Sequence, residues 1–189
     1  MRLHHSVLCL ALAALPAQAE DFTAQVTAKV ESELRAWGTD PALIDAVKAA
    51  NAAHADITQD QIDALDKAWR AETETATQPT IEAILALPQS RALLDKVERS
   101  RGMVSEVFVM DEHGLNVAQA RATSDYWQGD EAKFQETYPK GPDAVHVSEV
   151  EFDESSDTYQ VQASFTVNDP ETGAPIGAMT VGLNAEMIE

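Results

Sequence analysis

Cysteine is all but missing from this chain. The single Cys9 lies in an apolar run near the start, so the remainder offers no disulfide, no thiolate nucleophile and no cysteine-ligated metal, and has to hold together by packing. Basic residues are scarce as well: 13 Lys and Arg stand against 32 Asp and Glu, a formal net charge of −19. A field of that sign repels phosphate backbones and anionic lipid heads, which argues against nucleic acid and membrane-surface partners. Long hydrophobic runs are lacking too. The apolar run at 7–15 is about half of the ~20 residues that a membrane-spanning helix needs, and no later segment comes closer, so no membrane insertion is expected.

The signatures of common enzymes are also absent. There is no Gly-x-Ser-x-Gly elbow, no His-Glu-x-x-His pair, no phosphate loop and no Gly-x-Gly-x-x-Gly fingerprint. Past the first five residues the histidines are His54, His113 and His146, in separate segments, which suits isolated side chains better than a composite metal site. The paired acids Glu149 with Glu151 and Asp153 with Glu154 fall near a strand end and its turn, as solvated groups do. We expect no catalytic residues, no metal and no cofactor.

What is present begins with an export signal. Arg2, His4 and His5 precede the apolar run, and Ala17, Gln18 and Ala19 form a small-x-small site, so residues 1–19 are expected to be cleaved and the protein to be periplasmic or secreted. Leu8, directly before Cys9, is not the small residue that a lipid anchor needs there.

Residues 20–102 have helical periodicity. Phe22, Val26, Val30, Leu34 and Trp37 put one apolar stripe on a first helix that Gly38 ends. Asp40 before Pro41 starts a second helix, buried through Leu43, Ile44 and Val47. Thr58 and Gln61 have capping-box spacing for a third, lined by Ile62, Leu65 and Trp69. Pro79 and Pro88 open two further helical stretches, and Gly102 closes the helical half.

The period then changes. Val104, Val107, Phe108, Val109 and Met110 are apolar on both faces, as in a central strand, and Asp111 to Gly114 turn the chain into a short second strand at 115–120. Further strands are expected at 145–152, 159–167 and 176–183, joined by turns at 153–157 and 168–173. In the middle one Tyr159, Val161, Ala163, Phe165 and Val167 alternate with Gln160, Gln162, Ser164 and Thr166, giving one apolar and one polar face. Helices first and strands second, joined by short turns, predict an α+β fold: N-terminal helices packed on a C-terminal antiparallel sheet of about five strands, the two halves 20–102 and 103–189 forming one unit.

Residues 123–138, between the second and third strands, combine aromatic with acidic and basic side chains. Two readings stand side by side. Tyr126, Trp127 and Phe134 cap the apolar sheet, with Asp130 starting a short helix; or the same residues roof a small-molecule pocket, whose rings exclude water while a few polar groups fix the ligand.

The run VSEVFVMDEHGLNVAQARATSDYWQGDEAKFQETY at 104–138 resembles the core of the Cache group of PAS-like folds, also called PDC sensor domains, and the resemblance spans roughly 103–183. It implies a PAS-like sheet with a ligand pocket beneath the segment joining the early and later strands. It makes Arg121 and Lys133 candidate partners for a ligand carboxylate, Tyr126, Trp127 and Phe134 candidate walls, and Asp125 or Asp130 candidate acceptors for an ammonium group. The longer Arg, Trp and Tyr pattern of amino-acid-binding members is not reproduced.

The expected function is that of a free-standing sensor binding a small polar metabolite, of carboxylate or amino-acid class, and modulating a membrane receptor or kinase. The first helix's stripe leaves a homodimer open. The alternative is a periplasmic accessory protein that binds another protein and no small molecule.

Overall fold

The computed structural model describes residues 15–153 and 158–188; the expected signal segment up to residue 14, Cys9 within it, and residues 154–157 of the expected turn at 153–157 lie outside the described residues. Helix α1 (Leu15–Lys29) continues through a π turn (Val30–Leu34) and a 3₁₀ turn (Arg35–Thr39). The expected stripe is buried, with Val26, Val30 and Leu34 at most 2% exposed. Asp40 caps α2 (Pro41–His54) by accepting from the backbone N–H of Ala42 and Leu43. The capping box of Thr58 and Gln61 opens α3 (Gln59–Thr73), and prolines at first helical positions open α4 (Pro79–Leu85) and α5 (Pro88–Arg99), where a missing N–H costs nothing.

On α3 the structure corrects the expected stripe. Leu65 is 40% exposed, and the neighbouring Asp66 is buried. The reason is polar. Asp66 Oδ1 accepts the backbone N–H of Tyr126 (2.9 Å) and of Trp127 (3.0 Å), so the helix rotates a carboxylate inward to satisfy a loop.

The sheet has strands β1 (Val104–Met110), β2 (Asn116–Gln119), β3 (Val145–Val147), β4 (Glu151–Asp153), β5 (Thr158–Asn168) and β6 (Pro175–Asn184). Their order is β2-β1-β6-β5-β3, all neighbours antiparallel, with β4 also pairing with β5. The strand expected at 145–152 is therefore two short ones on a single edge. Ser148 separates them: its hydroxyl accepts the backbone N–H of Gln162 and donates to the carbonyl of Glu149, which ends β3 and leaves Val150 exposed. A short helix α6 (Ala132–Gln135) lies between β2 and β3 in the chain.

One face of the sheet is apolar and meets the helices. Val107 and Val109, Val161, Ala163, Phe165 and Val167, and Met179, Val181 and Leu183 form one cluster with the buried residues of α1, α2 and α5. The opposite face carries Glu106, Phe108, Met110, Gln160, Gln162, Ser164, Thr166 and Thr180, by strand alternation and pairing. It is not solvated as polar faces usually are. Ser164 and Thr180 are fully buried and 2.9 Å apart, and Phe134 of α6 packs on Phe108, Met110 and Ala178.

Candidate functional site

Between this second face and the segment that covers it lies a cavity of about 580 Å³. Glu106 and Phe108 of β1 with Gln160 and Gln162 of β5 form its floor, Thr123, Gln128 and Lys133 are part of its roof, and His146, Glu149 and Glu151 line the β3–β4 side. The volume falls in the range of small-molecule sites, about 300–1,000 Å³.

A bulge aims Glu106 at this floor. The pairing of β1 with β6 shifts between Val104 and Glu106, so Val104 faces the helical core while Glu106, two residues later, faces the cavity. The extra residue, Ser105, is held at both ends. Its carbonyl accepts Arg121 Nη1 at 2.7 Å, and its hydroxyl donates to Gln160 Oε1. Across the sheet Gln160 Nε2 (2.6 Å) and Gln162 Nε2 (2.8 Å) both donate to Glu106 Oε1.

These side chains come from β1 and β5, with β6 between them, and they meet because β6 carries Gly182 there. Gly182 pairs with Glu106 on one side and Gln162 on the other. A Cβ at that position would stand 2.6 Å from Glu106 Cγ and 2.8 Å from Gln160 Cδ, so any other residue would separate the carboxylate from its amides.

The cation in the roof is already engaged. Lys133 Nζ lies 3.0 Å from Glu131 Oε2 and 3.2 Å from Gln128 Oε1, and stands over the Phe108 ring at 5.6 Å. The fully buried Gln119, paired with Phe108 across β1 and β2, accepts from Thr123 through Oε1 and has no partner for Nε2 among the described residues.

Of the residues singled out from sequence, the structure puts Lys133 on the cavity and the others elsewhere. Arg121 holds the bulge. Asp125 pairs with Arg70 at 2.9 Å. Tyr126 stacks on Trp69 of α3, ring centroids 5.3 Å apart, and burial, then the charge of Asp111, pushes its hydroxyl up to about 12. Trp127 donates from Nε1 to the His113 carbonyl at 2.8 Å, and its backbone bridges to Leu115. Asp130 is exposed, and Phe134 is buried in the cluster under α6. Gly114 (φ +83°) and Gly129 touch backbone to backbone beside Trp127: a Cβ on Gly114 would lie 2.5 Å from Gly129 Cα, so the loop closes on the β1–β2 turn only with glycine there.

The floor residues Glu106, Gln160, Gln162 and Gly182 were not singled out from sequence. Their signal is faint: polar residues at alternate positions on a strand, and one of the two glycines inside β6.

No protein-family profile and no curated protein matches the chain. Solved structures do. They include the sensor domain of the V. cholerae histidine kinase DctB, at 13% identity and a TM-score of 0.48, over 93% of this chain and 56% of that one. The ligand-binding domain of the Campylobacter jejuni chemoreceptor Tlp3, in complex with 4-methylisoleucine, aligns at 11% identity and 0.41, over 88% and 61%. The ligand-binding domain of the Pseudomonas aeruginosa amino-acid chemoreceptor PctC, in complex with GABA, aligns at 14% and 0.42, over 93% and 62%. The chain thus spans less than two thirds of the length of each. Among the described residues no helix is long and apolar enough to cross a membrane.

Proposed function

We propose that this chain is an exported, non-catalytic sensor domain that binds a small polar metabolite in the cavity over the polar sheet face and modulates a membrane receptor, kinase or other partner. The observation that carries the reading is the floor of the cavity. Glu106, Gln160 and Gln162 converge from two non-adjacent strands across Gly182, and a bulge fixed by Arg121 aims the carboxylate. Convergent, pre-oriented polar groups in a small-molecule-sized space are what ligand recognition requires, whereas stability alone is served as well by apolar filling.

Thermal unfolding against a panel of amines, amino acids, carboxylates and divalent cations tests it. A ligand at about 100 times its dissociation constant adds roughly 2.7 kcal/mol, a rise of about 5 to 11 °C for a domain of this size. A selective rise of that order supports the reading, and a flat panel removes it.

One observation favours the accessory-protein alternative. Phe152 and Tyr159 are 51% and 52% exposed, in edge-to-face contact at 5.4 Å, and Val150 beside them is 44% exposed. An apolar patch at a sheet edge fits a protein partner. Val150→Ser with Tyr159→Ser, neither of which lines the cavity, abolishes partner capture in that reading, where the chain answers to no metabolite, and leaves metabolite binding intact in the sensor reading.

A further inference from the structure

We infer that the cavity selects an organic ammonium ion, with Glu106 as its acceptor; this deepens the binding reading above and rests on it. Glu106 is half-buried, and its Oε1 takes both glutamine amides while Oε2 takes no hydrogen bond among the described residues. One N–H of each amide therefore fixes one carboxylate oxygen and leaves the other, oriented, for a donor brought from outside. A protonated amine supplies such a donor together with the matching charge, and charge-assisted bonds of this kind are the strong ones.

The rest of the lining agrees. Four carboxylates, of Glu106, Glu131, Glu149 and Glu151, face the space against one lysine, with His146 beside them. Lys133 is paired with Glu131 and also bound by Gln128, so its charge is already balanced within the lining. Arg121 is spent on the Ser105 carbonyl and does not line the cavity. Gln119, whose Nε2 has no partner among the described residues, is not among the residues that line the cavity. Against such walls an anion is repelled, and an amine is drawn in by the field as well as by Glu106. Phe108 and Phe152 also line the space and give apolar surface for a short alkyl chain between ammonium groups.

The test is isothermal titration calorimetry of the chain at physiological salt with two four-carbon probes of opposite charge, 1,4-diaminobutane and butanedioate. The diamine is expected to bind with saturation and butanedioate to give no heat. Glu106→Gln, close in shape, should weaken the diamine by roughly tenfold or more, as expected for a lost charge-assisted bond. Lys133→Met, which removes the only basic side chain other than His146 from the lining, should leave diamine binding unchanged or tighter.

Near-ultraviolet circular dichroism checks that both variants are folded, and Gln162→Leu gives a second route to the same loss should Glu106→Gln unfold. Diamine binding that survives both Glu106→Gln and Gln162→Leu would be diffuse attraction to an acidic protein and overturns the assignment. Butanedioate binding that Lys133→Met abolishes overturns the ammonium class but keeps the cavity as a binding site. Silence from these probes and from the whole thermal panel overturns both.

Discussion

The two faces of this one sheet are built from the same strands and do opposite work. On the helix side β5 contributes Val161, Ala163, Phe165 and Val167, each at most 2% exposed, to a continuous apolar core. On the other side the same strand contributes Gln160, Gln162, Ser164 and Thr166, and the cover over them leaves a cavity of about 580 Å³ in place of close packing. Alternation along a strand thus separates the residues that stabilise from those we propose to recognise a ligand, one position apart. The difference teaches where stability and binding part company: a change on the first face should unfold the protein, and one on the second should silence it while it stays folded.

The largest effect belongs to the core face. Phe165→Ala removes a ring that packs against Gly38 and lies under the Arg35 guanidinium, and should cost about 3 to 5 kcal/mol in urea unfolding. Next is the seam between α3 and the covering segment. Asp66→Ala strips two backbone N–H groups and Arg70 of their acceptor and should cost about 2 to 4 kcal/mol, with ligand affinity nearly unchanged because the seam lies off the cavity. A large loss of affinity in a folded Asp66→Ala protein would mean that Tyr126 and Trp127 are binding walls after all.

The seam also predicts an alkaline weakness. Burial holds the Tyr126 proton to about 12, whereas an unfolded tyrosine releases it near 10. Between those values the folded chain binds more protons than the unfolded one, so stability falls as pH rises, by about 2 to 3 kcal/mol over the window. Tyr138 is raised in the same direction, by burial first and then by Glu112. Tyr126→Phe should flatten this slope, read as unfolding free energy against pH with phenolate absorbance as the monitor. The smallest effect on stability is expected on the binding face: Gln162→Leu should change unfolding by no more than about 1 kcal/mol while abolishing the thermal response to ligand.

The helical half was largely legible because its signals are local. The cap of Asp40, the box of Thr58 with Gln61 and the prolines at 79, 88 and 41 act within one turn, and the structure has helices starting at each. Leu65 and Asp66 exchanged places because a loop sixty residues away needed an acceptor, which no periodicity on α3 records. The site divides in the same way. A roof joining the early and later strands could be read from the aromatic and charged run at 123–138, although the side chains that face the cavity from it are chiefly Thr123, Gln128, Glu131 and Lys133, with the rings turned toward α3, the β1–β2 turn and the cluster beneath α6. The floor could not be read. A polar strand face suggests solvent, and only the cover supplied by α6 and its flanks turns Gln160, Ser164 and Thr180 into buried groups. The bulge at Ser105 is likewise invisible in the sequence, since it shows only in how Val104 and Glu106 pair with β6.

Backbone-amide nuclear magnetic resonance during titration with 1,4-diaminobutane tests most directly the claim that the polar sheet face is the binding surface. Saturable shifts centred on the strand segments around Glu106 and Gln162, on the roof around Gln128 and Lys133, and on the edge around Ser148 are the predicted result. Saturable shifts centred instead on Trp69, Tyr126 and Trp127, with the Glu106 and Gln162 amides unmoved, would contradict it.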